Sequence, residues 1–267
     1  MDVVYRCVNA LGRLLLGLLG VRVRVRGLEH LPRSGPVILA STHASYLDFV
    51  ILEKAAVARG RYVRFLARYD VWLRGPVAWA MTRMRHVPVD RAVPAAAYLA
   101  ARRLLRSGEA VGIFPEAGIS YSYTVRGLMP GAVALARETG APIVPVAMWG
   151  AQRISTVGIP EPRPDLTRRR RIDVLLGEPV LVGPDDDVTA TTRALGARLT
   201  TMLEELQVLP EHRPAPGEHA PWHPAHLGGH APTRAAAAAY DVLPRSAVSP
   251  TWGPGAGPGG RPGPRAD

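Results

Sequence analysis

The sequence predicts a mixed α/β domain with a partly parallel sheet flanked by helices. Two observations carry this. From about residue 20 to residue 206, short apolar runs alternate with longer segments of helical periodicity, and Gly, Pro and Ser punctuate the joins. A chain of 267 residues is also long enough to bury a sizeable core and still leave a tail.

The N-terminal segment comes first. Val3, Val4, Leu11, Leu14, Leu15, Leu16, Leu18 and Leu19 are apolar, but Arg6 and Arg13 interrupt them. A signal peptide needs an unbroken apolar centre, and a bilayer span needs about 18 to 20 apolar residues. The segment therefore reads as an amphipathic helix, lying on an acidic membrane surface or docked on the domain's own core. Val21 to Arg26 alternates at period two, as an edge or half-buried strand does, and Gly27 ends it. The turn Pro32 to Gly35 leads into Pro36 to Ala40, a continuous apolar run that reads as a buried strand. Asp48 to Arg59 reads as a helix stopped by Gly60, and Tyr62 to Leu66 as a short strand. Trp72 to Met81 is apolar and helix-like, although Gly75-Pro76 weakens it.

A strand at Val87 to Val89 and a helix from Pro94 to Arg106, ended by Ser107-Gly108, follow. Then come a strand at Ala110 to Phe114, a helix from Gly131 to Thr139 closed by Gly140, and strands at Pro142 to Met148 and Arg171 to Leu176. Thr191 to Leu206 closes the series as a helix, with Asp185, Asp186 and Asp187 ahead of it. Beyond Pro210 the pattern fails, and the composition turns to Pro, Gly, His and Ala. There, Ala235 to Ala239 suits one short helix, Trp222 and Leu227-Gly228-Gly229 are candidates to fold back, and Gly253 to Asp267 is expected to be disordered. The expected division is 1–20, 21–209 and 210–267.

The formal charge is +11, and of 33 basic residues only Lys54 is lysine. Such a surface favours anionic partners: nucleic acid, acidic lipid or phosphorylated substrates. With three phenylalanines and no helix-turn-helix or zinc-finger pattern, nucleic acid is the weaker choice. Cys7 is the single cysteine, so no internal disulfide forms, and it reads as an inert hydrophobe. His212, His219, His223, His226 and His230 lack metal-ligand spacing. The run Arg168 to Arg171 is an anion patch or a solvated loop.

Chemistry concentrates where apolar strands end. His43-Ala44-Ser45-Tyr46-Leu47-Asp48 follows the run Pro36 to Ala40. A histidine there suits a base near neutral pH, with the carboxylate holding its ring and stabilising its charged form. The structural alternative is a strand-end histidine and a helix-capping aspartate. Phe114-Pro115-Glu116-Ala117-Gly118 again follows a strand, with Pro115 stiffening the exit and Gly118 permitting unusual backbone angles. Glu116 suits a polyol hydroxyl or the orientation of a neighbouring base, and otherwise marks a surface turn. His86 to Arg91 places an arginine just past a short strand, where its planar fork matches a phosphate or pairs with Asp90. Ala141 to Val146 is a proline-bearing buried strand.

In this order the four segments resemble the sequence blocks of the glycerolipid acyltransferases of the lysophosphatidate acyltransferase type, over about residues 20 to 200. The resemblance implies a glycerol-3-phosphate acyltransferase-like single domain. It implies His43 as general base with Asp48 as its orienting partner. Arg91 would grip the acceptor's phosphate, Pro115, Glu116 and Gly118 would serve the acceptor side, and Val144 and Pro145 would lie on the acyl-donor side. No cofactor is implied beyond acyl-CoA or acyl carrier protein as substrate. The partners would be a lysophospholipid and the cytoplasmic face of the cell membrane, bound peripherally.

Departures accompany the likeness. The family's third block continues with glycine, threonine and arginine, where this chain has Ala117, Gly118 and Ile119, so Arg126 is the candidate replacement. Its second block opens with glycine, where this chain has Arg85. Pro130-Gly131-Ala132, Trp222 and Leu227-Gly228-Gly229 resemble a high-G+C Gram-positive branch. An acyl groove lined by Val71, Trp72, Val77 and Trp79 is expected, unless these residues form an ordinary core face. The competing readings are a different lipid alcohol as acceptor, or a non-catalytic lipid-binding protein. A serine hydrolase using Ser41 or Ser45 is disfavoured, because no G-x-S-x-G elbow occurs.

Overall fold

The computed structural model describes residues 3–73, 75–90, 93–158, 160–241 and 250–253. Seven strands form one sheet: β1 (Arg22–Arg26), β2 (Val37–Ser41), β3 (Val63–Arg68), β4 (Val87–Val89), β5 (Ala110–Ile113), β6 (Ile143–Trp149) and β7 (Arg171–Leu176). Their order is β1-β7-β6-β2-β5-β3-β4. From β6 to β4 every neighbouring pair is parallel, while β7 runs antiparallel to β6 and β1 parallel to β7. The alternating run at β1 forms a sheet edge, as its pattern predicts.

The central strand β2 is buried along its whole length. Its residues serve the two faces of the sheet in turn, as a period-two backbone requires. Ile38 and Ala40 join a core with α4 (Pro94–Arg106), α5 (Gly131–Thr139) and α6 (Val188–Gln207), contributed by Ala101, Leu105, Val133, Leu135, Leu199 and Leu203 among others. Val37 and Leu39 join the opposite core, built with Ile51, Leu52, Ala55 and Ala56 of α2 (Asp48–Ala58). Both faces are therefore covered, which explains why β2 reads as an unbroken apolar run rather than an alternating one.

The N-terminal helix α1 (Val3–Leu18) docks through Tyr5, which is fully buried and donates to Glu53 Oε2 at 2.9 Å. Glu53 also accepts from Val63 N at 3.0 Å and from Asn9 Nδ2 at 3.2 Å. Burial pushes the Glu53 carboxyl up to about 7 against the pull of these donors. The outer face leaves Val3, Leu11, Leu14, Leu15 and Leu18 more than half exposed. Cys7 is exposed there too, not packed as an apolar core residue. Gly75-Pro76 opens α3 (Gly75–Arg83) rather than breaking it, because proline's missing N–H costs nothing in a first helical turn.

The C-terminal residues fold back more fully than their composition suggests. His212 and His223 are each 1% exposed, and the Arg153 guanidinium lies 3.8 Å from the Trp222 ring centre. The short helix α7 (Arg234–Ala237) is capped by the Thr233 hydroxyl, which accepts from Ala236 N. Trp252 packs on the core, and Leu128 bridges to it. The disorder expected over Gly253 to Asp267 falls, except for Gly253, outside the described residues. Arg170 and Arg171 are committed to Asp165, Asp173 and Glu211 rather than forming an open cationic patch. Among the described residues no helix is long and apolar enough to cross a membrane.

Candidate active site

The parallel strands β2, β4 and β5 end on one edge of the sheet, where an α/β fold presents its functional groups. Thr42 ties the exit of β2 to β6: its N–H donates to Val146 O at 3.0 Å, and its hydroxyl accepts from Met148 N at 3.2 Å. His43 to Leu47 form the turn into α2, and Asp48 opens that helix. One carboxylate oxygen, Asp48 Oδ2, accepts from Ala44 N at 2.7 Å and Ser45 N at 2.8 Å, and faces His43 Nδ1 at 3.0 Å. Ionised Asp48 can only accept, so the contact fixes the ring proton on Nδ1 and leaves Nε2 as the basic nitrogen. Asp48 is 2% exposed and the His43 side chain 18%, so the carboxylate is sealed while the ring remains open. A negative charge at the first turn of α2 also suits the helix dipole.

Two further groups hold the histidine. Its ring stacks on Phe114 at 4.1 Å between centroids, and Phe114 in turn lies parallel to Phe65 at 6.3 Å. Gly112 makes that stack fit: a Cβ there would sit 2.5 Å from Phe65 Cδ1 and 2.8 Å from Val63 Cγ1. Glu116 holds the backbone. Its Oε1 accepts from His43 N at 2.8 Å and its Oε2 from Arg126 N at 2.7 Å. Glu116 is 1% exposed, and burial pushes its carboxyl up to about 8 against the pull of those N–H groups and the Arg126 charge. Both oxygens face main chain, so Glu116 ties the backbone of His43 to that of Arg126.

The other predicted positions fall as follows. Pro115 is buried, and its carbonyl accepts from Met129 N at 2.9 Å. Gly118 lies under the Arg126 guanidinium, where any Cβ would overlap Nη1. Arg126 does return to the third segment, but buried: it is 7% exposed, with Nε 3.4 Å from Asp241 Oδ1 and Nη1 3.4 Å from Ile119 O. Arg91 lies outside the described residues. Val144 and Pro145 are buried within β6, paired in register with Leu39 and Ala40. Val77 and Trp79 are 47% and 55% exposed on α3, so they do not form a core face.

The two departures from family glycines are both accommodated in left-handed backbone: Arg85 at φ 59° and Ala117 at φ 56°. Residues that sequence reasoning did not find also shape the site. Ser155 O accepts from Tyr46 N and from the Ser45 hydroxyl, and the Thr156 hydroxyl donates to Ala44 O, so the loop after β6 clamps the histidine turn. Contacts of this kind, between residues so far apart in sequence, carry no spacing signal. Cavities of about 570 and 530 Å³ lie in the C-terminal segment and beside α1, and His43 lines neither. Among the described residues no group of three or more His, Cys, Asp or Glu side chains is arranged to hold a metal ion.

Comparison with known proteins agrees with this geometry. Residues 22–149 match the family model described as Acyltransferase. A plant relative, the chloroplastic 1-acyl-sn-glycerol-3-phosphate acyltransferase LPAT1 of Arabidopsis thaliana, is 30% identical over 141 residues, covering 51% of this chain and 38% of the relative. The 1-acyl-sn-glycerol-3-phosphate acyltransferase of Bacillus subtilis is 28% identical over 210 residues, covering 76% of this chain and 98% of the relative. This chain thus spans less than two fifths of the plant protein and nearly all of the bacterial one. The crystal structure of the 1-acyl-sn-glycerophosphate acyltransferase PlsC from Thermotoga maritima shares the fold, with a TM-score of 0.65 at 21% identity over 76% of this chain and 80% of that one.

The matches and the His43–Asp48 pair are consistent with an O-acyltransferase. More particularly, they support a glycerolipid acyltransferase of the lysophosphatidate acyltransferase type.

Proposed function

We propose that the protein transfers a fatty acyl group from acyl-CoA or acyl carrier protein to the free hydroxyl of 1-acylglycerol-3-phosphate, forming phosphatidate. The observation that carries this reading is the His43–Asp48 contact at the open end of β2. His43 Nε2 takes the hydroxyl proton as the oxygen attacks the thioester carbonyl. The C–S bond then breaks, and the thiolate leaves and is protonated. Asp48, fixed by two main-chain N–H groups, stabilises the imidazolium that forms between these steps. No covalent enzyme intermediate is needed. Arg91 is the candidate for the acceptor's phosphate, Val144 and Pro145 shape the donor side from within the sheet, and Val71, Trp72, Val77 and Trp79 supply the apolar surface for an acyl chain.

The same reading places the protein peripherally on the cytoplasmic face of the membrane. The exposed leucines of α1 and the exposed Val77 and Trp79 of α3 supply apolar contact, and Arg6 and Arg13 on α1 supply positive charge. The branch reading, a high-G+C Gram-positive member of the family, rests on Pro130-Gly131-Ala132, Trp222 and Leu227-Gly228-Gly229. A second acceptor class is favoured by one observation. Ile119 stands where the family carries an arginine, and Arg126, the nearest substitute, is paired with Asp241. That leaves fewer cations for a phosphate and suits another lipid alcohol.

The test uses the purified full chain with lysophosphatidate, glycerol-3-phosphate and neutral lipid alcohols against several acyl thioesters. Transfer to lysophosphatidate that His43→Ala lowers by roughly 10²- to 10⁴-fold, with folding and vesicle binding intact, is the expected result. Equal activity in the His43→Ala variant ends the proposal.

A further inference from the structure

The C-terminal segment reaches the site through one carboxylate. Asp241 Oδ1 lies 3.4 Å from Arg126 Nε and accepts from Tyr121 N at 3.4 Å. Each contact leads on to His43. Arg126 N donates to Glu116 Oε2, whose other oxygen accepts from His43 N. Tyr121 follows Ser120, whose N–H donates to His43 O at 3.0 Å. Both main-chain polar groups of the histidine are therefore held by the loop 116–126, and both anchoring stretches of that loop converge on Asp241.

Elsewhere the loop is tied by Gln207 Nε2, which donates to Tyr123 O at 2.7 Å, and by the buried side chains of Tyr123 and Val125. It forms no strand or helix between Phe114 and the start of α5, and Ala117 and Tyr123 sit in left-handed backbone at φ 56° and 54°. The segment that carries Asp241 is itself secured. Asp241 N donates to Ala237 O at 2.9 Å, the Tyr240 ring packs 5.7 Å from the Tyr121 ring, and Arg234 Nε donates to the Thr124 hydroxyl at 2.9 Å. The Arg126 side chain is 7% exposed and that of Asp241 19%, so the pair is shielded from water and salt. The absence of a side chain at Gly118 lets the guanidinium lie against the loop.

We propose that Asp241 and Arg126 form a positioning pair, by which the C-terminal segment sets the Glu116 loop and with it the His43 backbone for acyl transfer. The proposal rests on the functional reading above, and it assigns a part in that reaction to a residue far outside the matched stretch 22–149. The same geometry has an opposite interpretation, in which Asp241 plugs the arginine and must leave before an anionic headgroup can bind. The two differ in the sign of the effect when Asp241 loses its charge.

The experiment compares the full chain with Asp241→Asn, Asp241→Glu and Arg126→Lys. Two readouts are taken: transfer from an acyl-CoA to lysophosphatidate, and amide hydrogen exchange. A positioning pair predicts that Asp241→Asn lowers kcat by about tenfold with the KM for acyl-CoA unchanged, because small misplacements of a base act on turnover. Asp241→Glu recovers most of that loss. The amides of His43, Tyr121 and Arg126 exchange faster in Asp241→Asn, while those of β2 and β6 stay protected. Arg126→Lys keeps the charge but loses the planar fork, and it gives the same exchange pattern even if Asp241→Asn does not fold. A rise in kcat/KM in Asp241→Asn overturns the proposal in favour of the plug, and unchanged exchange at those three amides overturns it outright. If the wild-type chain transfers no acyl group to any alcohol, the functional reading fails, while the exchange data still decide whether the pair positions the loop.

Discussion

Among the described residues two histidine–aspartate contacts have nearly the same length. His43 Nδ1 lies 3.0 Å from Asp48 Oδ2, and His212 Nε2 lies 2.8 Å from Asp173 Oδ2. Their surroundings are opposite. His212 and Asp173 are each 1% exposed, and Asp173 is gripped further by Arg171 through Nε at 2.7 Å and Nη2 at 3.1 Å. The His43 ring keeps 18% of its surface open, and its Nε2 has no hydrogen-bond partner among the described residues. A histidine–carboxylate distance therefore says little about catalysis by itself. What separates a base from a structural tie is whether the second ring nitrogen meets an approaching alcohol. At 212 the pair anchors the C-terminal segment to β7, and at 43 it is left facing outward.

Deleting each ring separates the two roles most sharply. His43→Ala is expected to remove turnover and to cost less stability than His212→Ala, because the lost ring is partly exposed and Asp48 keeps its two main-chain N–H donors. His212→Ala is expected to leave kcat per folded molecule unchanged and cost about 3 kcal/mol of stability, the scale of breaking a buried pair while its partner stays buried. Urea unfolding and kcat measured on both variants check this, and a catalytic loss at 212 equal to that at 43 would erase the distinction. Acid sharpens it further. Burial raises the Asp173 carboxyl, but the His212 and Arg171 contacts outweigh burial and bring it down to about 2. A carboxyl depressed in the folded state contributes stability that is full above its unfolded value near 4 and is lost as pH falls toward 2. Melting temperature should therefore drop between about pH 4 and pH 2, and Asp173→Asn should flatten that drop.

The comparison also explains what was legible in the sequence. His43 and Asp48 are five residues apart, so a strand end and a helix start suffice to bring them together, and the pattern shows in the chain. Asp173 and His212 are 39 apart, and the histidine lies in a Pro- and Gly-rich stretch with no periodicity to place it. The strands and helices between residues 22 and 207 were readable because continuous burial and helical periodicity leave local marks. Pro94 to Arg106 and Gly131 to Thr139 match their predicted spans, since proline and glycine mark their ends. The sheet order was not readable, nor was the convergence of Asp241 on the loop of Glu116, because both depend on which distant surfaces pack. The Arg126 substitution was readable as a missing charge, but its burial was not.

A smaller effect probes how the open ring is held. His43 is supported from below by Phe114 and Phe65, whereas His212 is enclosed on every side. Gly112→Ala would place a Cβ against the Phe65 ring and Val63. Crowding of that kind costs about 1–3 kcal/mol in a packed interior. The expected result is a loss of stability within that range together with a fall of about tenfold in kcat, read from the same unfolding and transfer assays. A stability loss without any change in kcat would show that the aromatic stack does not set the imidazole.

The least perturbing change concerns backbone strain beside each pair. Next to the sealed pair the left-handed position is a glycine, Gly150 at φ 112°, and a Cβ there would overlap Arg171 O. Beside the open pair the left-handed position directly after Glu116 carries a side chain, Ala117 at φ 56°. An L-residue in that region costs roughly 1–2 kcal/mol relative to glycine, partly offset by the greater chain entropy that glycine gives the unfolded state. Ala117→Gly is therefore expected to raise stability by about 0.5–1 kcal/mol, while Gly150→Ala lowers it by more. If the loop is held by Glu116, Arg126 and Asp241 rather than by the alanine, kcat in Ala117→Gly stays within twofold of wild type. A stabilised variant with sharply reduced turnover would instead mean that the strained alanine itself sets the approach of Glu116 to His43.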